Sequence, residues 1–216
     1  MEKINKPEWL KEVESIIRSV TSGMDDSSKI DAINAIKIII HKISPFKDEP
    51  VDCVIWVPHD TIFANDYNPN SVAPPEMELL THSIREDGYT QPIVSWVDEE
   101  GKREVIDGFH RYRVGNECDD VKKKVTGYLP VTTINQSREG RGDRIASTIR
   151  HNRARGKHAI SAMSDIVVEL SRKNWSDKKI AKELGMDMDE VLRLKQITGL
   201  AELFADENFS EAWESE

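Results

Sequence analysis

The spacing of apolar residues changes character twice along this chain, and the two changes limit the folds open to it. As far as Ile43 the apolar positions recur at helical intervals: Trp9, Leu10, Val13, Ile16, Ile17 and Val20, then Ile30, Ile33, Ile36, Ile40 and Ile43 after Gly23 and an Asp/Ser-rich break. This pattern predicts a helical hairpin that docks on another part of the protein. Pro45 and Pro50 bound a linker, because proline lacks the N–H that a continuing helix needs.

From Val51 the pattern turns to short β-rich runs alternating with helical ones. Strands are expected over Val51 to Val57, Ile93 to Val97 and Arg103 to Ile106, with further strand material from Val125 to Ile134 broken by Gly127 and Pro130. A helix is expected from about Pro75 to Glu86, and another entered through Asp107 and Gly108. From Asp143 onward almost everything reads as helix. The expected class is α+β, in three parts: a helical hairpin over 1–47, a mixed-sheet domain over 51–137 and an all-helical region over 138–216.

Composition narrows the function. Of the 216 residues 38% are hydrophobic and 32% charged, and no apolar run approaches the roughly 20 residues of a membrane span. The first residues also lack a signal-peptide core, so a cytoplasmic protein without a membrane partner is expected. Cys53 and Cys118 show no ligand or disulfide spacing and read as reduced thiols. A formal net charge of -9 opposes nonspecific coating of nucleic acid, so any DNA contact must come from a local patch. Arg138 to His158 supplies a candidate, with seven Lys/Arg against two acids.

One candidate site begins at Val105-Ile106-Asp107-Gly108-Phe109-His110-Arg111-Tyr112-Arg113. A β-run that ends in glycine and opens a helix leaves backbone N–H groups aimed at whatever lies over the turn, which suits an anion. Arg111 and Arg113 add charge, and His110 can donate a hydrogen bond. Asp107 suits either a Mg²⁺ ion beside phosphates or the N-cap of the helix. Gly88-Tyr89-Thr90-Gln91-Pro92-Ile93 lies upstream, a helix stop followed at once by a strand. Downstream come Arg150-His151-Asn152-Arg153-Ala154-Arg155-Gly156.

Together and in this order the three segments resemble the ParB/sulfiredoxin superfamily, whose members carry G-x-x-Q-P-I, G-x-(H/R)-R-x-R and (E)-N-x-x-R segments. The resemblance spans about Val51 to Leu200. It implies a mixed-sheet nucleotide-binding domain for ATP, ADP or CTP with Mg²⁺. Gly88, Gln91 and Pro92 would line its pocket, and Gly108, His110, Arg111 and Arg113 would hold phosphates. Asn152 and Arg155 would close it. Partition proteins have a glutamate before the asparagine, commonly linked to the metal, where this chain has His151. Sulfiredoxins have their reactive cysteine where this chain has Phe109, so reduction of a sulfinic acid is not expected. Asp107-Gly108-Phe109-His110-Arg111 is also similar to the D-G-H-H-R turn of ParB-like free serine kinases. The alternative function is therefore a small-molecule kinase or ATPase with Asp107 catalytic and holding the metal.

A second constellation runs over 176–198. Ser176 can cap a helix whose Ile180, Ala181 and Leu184 face inward, Gly185 makes the turn, and Asp187 with Glu190 forms a variant capping box for a second helix. The spacing resembles a DNA-binding helix-turn-helix of the kind ParB proteins carry here. Arg193, Lys195 and Gln196 would reach DNA, with Arg153, Arg155, Lys157 and Arg172 neutralising phosphates. Asp187, Asp189 and Glu190 crowd the N-terminal end of that second helix and oppose this. The arrangement looks most like the immunoglobulin-binding regulator B group of phage and bacterial co-activators. That resemblance implies transcription regulation and a PAPS-reductase-like partner; a homodimer is one option for an oligomeric state that the sequence leaves open.

Overall fold

The computed structural model describes residues 7–67, 73–134, 140–153 and 160–204. Helices α1 (Glu8–Thr21) and α2 (Asp26–Ile43) form the expected hairpin, and Asp25 caps α2 by accepting from the Ser28 N–H at 2.8 Å. Next come β1 (Ile55–Pro58), β2 (Ile62–Phe63), α3 (Pro74–Asp87), β3 (Ile93–Val97) and β4 (Arg103–Asp107). They are followed by α4 (Phe109–Glu117), α5 (Asp119–Lys124) and β5 (Tyr128–Thr133). The helical region contains α6 (Arg141–Arg153), α7 (Ile160–Arg172), α8 (Asp177–Leu184) and α9 (Met188–Phe204).

The strands lie in the order β1-β5-β3-β4-β2. The β1–β5 and β3–β4 pairs are antiparallel, whereas β3–β5 and β2–β4 are parallel. The class is therefore α+β with a mixed sheet and a helical C-terminal region. Ile93, Val105, Leu129 and Val131 form the sheet's buried apolar face, with Phe109 and Tyr112 of α4 packed on it. A second core joins Ile145 and Ile149 of α6, Val167 and Leu170 of α7, Ile180 and Leu184 of α8, and Val191 of α9.

Three expectations need correcting. The first strand is shorter than Val51 to Val57, because Pro50–Asp52 turns in a 3-10 helix before Ile55. Val125 belongs to the close of α5 rather than to a strand, and α5 itself was not foreseen. Pro130 does not break the last strand but sits inside β5. Trp56, its partner on β1, turns its own backbone outward. The Asn34 amide donates to Trp56 O at 2.6 Å, and Trp56 N–H donates to Asn34 Oδ1 at 3.0 Å. The pair opposite Pro130 is thus a non-hydrogen-bonded one, and pairing with β3 begins only at Val131, so the missing N–H loses no bond.

The same Asn34 bonds also close the free edge of β1, an edge that would otherwise invite another strand. Lys37 donates to Val54 O at 3.0 Å, and His41 Nδ1 lies 2.5 Å from Asp52 Oδ2. Polar contacts thus fix α2 to the sheet.

Gly115 sets how closely α4 approaches the sheet. A Cβ there would lie 2.2 Å from Tyr89 Oη and 2.3 Å from Leu129 Cδ2, and neither neighbour has room to withdraw from the core. The close approach lets Tyr89 donate to Arg111 O at 3.0 Å, which ties the Gly88-to-Pro92 loop to α4. Gly115→Ala is expected to destabilise folding by roughly 1–3 kcal/mol, the usual range for overpacking, and thermal unfolding followed by circular dichroism measures it.

Candidate functional site

The site grows from the end of β4. Gly108 follows Asp107 with φ +86° and ψ +24°, a left-handed conformation that glycine adopts without strain, and it is the N-cap of α4. Asp107 is therefore not the cap, and no side chain caps this helix. The first N–H groups of α4 face the turn with the positive end of the helix dipole behind them.

Arg111, one turn into α4, folds back across that turn. A Cβ on Gly108 would come within 2.8 Å of Arg111 Nη2, so the guanidinium occupies space that only glycine leaves open. Arg111 Nη1 donates to Gln91 Oε1 and Nη2 to Pro92 O, each at 3.2 Å. Nη2 also lies 3.9 Å from Oδ2 of Asp107, whose side chain is only 6% exposed. The two upstream segments singled out in the sequence are thus brought together on one guanidinium. Gly88, with φ +77°, ends α3 and turns the chain into the Gln91-Pro92 loop.

His110 adds a further polar group. Its Nδ1 is buried and finds no hydrogen-bond partner among the described residues. Burial, with Arg113 and Arg111 nearby, lowers its pKa below the ordinary imidazole value, so the ring is neutral near pH 7. Arg113 is turned elsewhere: it pairs with Glu117 on the exposed side of α4 at 2.8 Å. The side chains of Asn152 and Arg153, and the whole of Arg155 and Lys157, lie outside the described residues. No group of three or more His, Cys, Asp or Glu side chains with metal-site geometry occurs among the described residues.

Behind the site lies a network that the sequence reading missed. Glu104 of β4 meets Arg144 of α6 at 2.8 Å, with the two side chains only 7% and 15% exposed. The Tyr67 hydroxyl donates to the other oxygen of Glu104, and the Arg144 guanidinium lies 4.3 Å from the centre of the Trp96 ring. Burial and the Glu104 carboxylate raise the Tyr67 pKa far above its usual value, so the phenol stays a donor. The available signal was a glutamate next to the apolar pair Val105-Ile106 within a predicted strand, a costly placement if it is buried without a partner.

The helical end has the expected local chemistry. Ser176 caps α8 by accepting from the Lys179 N–H at 3.2 Å, Gly185 turns with φ +66°, and Asp187 accepts from the Glu190 N–H at 2.6 Å at the start of α9. Ile180, Ala181, Leu184, Val191 and Leu194 are buried. Arg172, Arg193 and Gln196 are exposed, whereas Lys195 is held by Asp177 of α8. Lys178 and Lys182 of α8 are exposed as well and were not singled out by sequence.

Known proteins resemble the chain in two segments. The family described as ParB N-terminal domain matches residues 35–137, and the family described as IbrB-like C-terminal HTH domain matches residues 158–206. A protein of Escherichia coli (strain K12), called uncharacterized protein YbdM, is 55% identical over 192 residues, covering 89% of this chain and 90% of its own length. Two solved structures of C-terminally truncated ParB from Caulobacter crescentus are more distant. The complex with CTP-γ-S is 16% identical, covers 70% of this chain and 83% of its own, and has a TM-score of 0.39. The complex with the centromeric parS site is 14% identical, covers 71% and 79%, and has a TM-score of 0.45.

Two outcomes test this geometry. Glu104→Ala leaves Arg144 buried without its counter-charge and is expected to destabilise folding by about 3–5 kcal/mol in chemical denaturation. His110 titrates lower folded than unfolded, so its contribution to stability is present above the unfolded value of about 6.5 and is lost as pH falls through the folded one. Melting temperature should therefore fall on acidification below that value, and less steeply in His110→Asn.

Proposed function

Because this chain belongs to the ParB-like proteins that carry a C-terminal helix-turn-helix, we propose that it is a DNA-binding regulator whose DNA affinity is set by a nucleotide held at the head of α4. The observation that carries this reading is the position of Arg111. It lies over an uncapped helix N-terminus, held between Gln91, Pro92 and Asp107, with the unpartnered Nδ1 of His110 beside it. Backbone N–H groups, a guanidinium fork and a neutral imidazole make a donor set fitted to phosphate oxygens. A magnesium ion arriving with the phosphates would take its protein oxygen from Asp107.

On the DNA side, α9 is the recognition helix and Arg193 and Gln196 are its readers. The exposed Lys178 and Lys182 of α8, with Arg172, meet the phosphate backbone. Asp187 is spent on capping α9, so one of the acids at that end is engaged with the helix's own backbone.

Calorimetry with ATP, ADP and CTP in the presence of Mg²⁺ should give binding by at least one of them. Arg111→Ala should weaken that binding at least tenfold, about 1.4 kcal/mol, close to the lower end of the ~1.5–3 kcal/mol contributed by a hydrogen bond to a charged group. Fluorescence anisotropy on duplex DNA should show an affinity that changes with that nucleotide. Arg193→Ala should weaken it by about 1–3 kcal/mol and relax its sequence preference, whereas Lys182→Ala should lower the salt slope by about 1. DNA affinity indifferent to every nucleotide, or nucleotide binding indifferent to Arg111→Ala, would remove the proposal. Turnover of the nucleotide lost in Asp107→Asn would instead favour the kinase or ATPase reading.

A further inference from the structure

Polar contacts run along the inner side of α2 and hold it against the sheet: Ser27 with the Tyr128 hydroxyl at 2.9 Å, Asn34 with both backbone groups of Trp56, Lys37 with Val54 O, and His41 with Asp52. The apolar side chains between them do not reach the core, and α2 contains no buried residue. They wall a cavity of about 360 Å³, with Ile30 and Ile33 of α2 on one side and Trp56 of β1 and Tyr128 of β5 on the other. The walls are apolar because the polar ends of these residues are engaged with one another. The Tyr128 hydroxyl meets Ser27, the Asn34 amide is bonded on both sides to the Trp56 backbone, and the Trp56 ring is set edge-on against Tyr89 with centroids 6.4 Å apart.

Two lysines complete the lining. Lys37 donates to Val54 O at 3.0 Å and Lys124 donates to Arg85 O at 2.6 Å. Neither is paired with an acid among the described residues: Asp52 is engaged by His41 and Ser44, and Asp120 by Arg85. An ammonium carries three donors, so each keeps N–H groups for a further acceptor. Lys122 and Lys123 line, with Asp119, an adjoining depression that shares Thr126 with the cavity. The mouth is thus locally cationic on a chain whose formal net charge is -9.

We infer that this cavity binds a small carboxylic acid with an apolar body, the body lying between α2 and the Trp56 ring and the carboxylate meeting the ammonium groups of Lys37 and Lys124. Size and charge select this class. A cavity of ~150 Å³ accepts benzene, so this larger one takes a body of roughly eight to twelve carbons and falls within the ~300–1,000 Å³ of small-molecule sites. A cationic ligand is repelled by the two lysines. A polyphosphate would lose its water to the apolar walls without regaining the hydrogen bonds, so the ligand differs in kind from the one proposed at the head of α4. An occupant touches both α2 and the sheet, so binding strengthens the attachment of the hairpin.

Isothermal titration calorimetry of the full chain with decanoate and with naphthaleneacetate tests the assignment. At least one of them should bind with a Kd below ~1 mM and raise the melting temperature. Naphthaleneethanol, which keeps the rings and loses the charge, and acetate, which keeps the charge and loses the body, should each bind at least about tenfold more weakly than the acid that binds. Lys37→Met and Lys124→Met should each weaken that acid at least about fivefold, whereas Lys102→Met, at an exposed lysine paired with Glu100, should leave it unchanged. Lys37 also ties α2 to Val54, so circular dichroism checks that its variant folds; if it does not, Lys124→Met decides. Ile33→Trp, which puts a larger side chain into the cavity, should abolish binding. Failure of both acids to bind at millimolar concentration overturns the proposal. So does binding that persists in both Ile33→Trp and Lys124→Met, the outcome if the acids merely adsorb to exposed apolar side chains of the hairpin.

Discussion

The rest of the structure hangs on the contact between Glu104 and Arg144, because it joins the sheet to the helices. A carboxylate inside a strand must find a cation or leave the strand, and Arg144 enters from α6 to meet it with Trp96 beneath its guanidinium. Removing either charge leaves the other in a poor dielectric, so the two layers are bound to each other by the cost of separating them. Glu104 also lies three residues before Asp107 on β4, and Arg144 lies on the helix that ends in His151-Asn152-Arg153. A displacement of β4 at its Asp107 end therefore bears directly on α6, and α6 shares its buried face with α7, α8 and α9. A physical route of this kind is what a nucleotide would need in order to influence the helix-turn-helix.

At the head of α4 three requirements converge on one arginine. Gly108 must take a left-handed φ to turn the strand into the helix, and its missing Cβ is also what lets Arg111 fold back over the turn. Asp107 holds the guanidinium loosely, at 3.9 Å, while Gln91 and Pro92 fix its orientation. The fork is thus oriented in advance. Its rotamer entropy has already been lost, which is the advantage a preorganised donor would give to an anion bound there.

Much of this was legible in the sequence, and the reasons differ by element. β3 matches its expected span because its ends are punctuated, by Pro92 before and an Asp/Glu/Gly turn after. The caps of α8 and α9 were readable because Ser176 and Asp187 act within a single turn of chain. What escaped depends on partners far away in sequence. β2 is two residues long and exists because β4 is there to pair with it. Pro130 is tolerated within β5 because it falls at a non-hydrogen-bonded position opposite Trp56 and before the pairing with β3 begins, a register set by strands distant in sequence. Arg113 and Lys195 looked like ligand-binding cations on the strength of neighbouring motif residues. In three dimensions Glu117 and Asp177 occupy them: the first pair lies at i,i+4 on α4 and was readable from spacing, whereas the second joins α9 to α8 across 18 residues and was not.

Charge placement decides what so acidic a chain presents around its helix-turn-helix. The repulsion between a net charge of -9 and a polyphosphate acts at long range, but within a Debye length of about 8–10 Å only local charges matter. Near the turn of the helix pair two acids are paired with cations, Asp177 with Lys195 and Glu183 with Arg150, while Asp187 accepts a backbone N–H and keeps its charge. Lys178, Lys182, Arg172 and Arg193 remain exposed around the same helices. Asp187 and Asp189 are exposed at the start of α9, so cations and acids are interspersed there. With such a surface, contact with a polyanion would depend on exact docking rather than on general attraction.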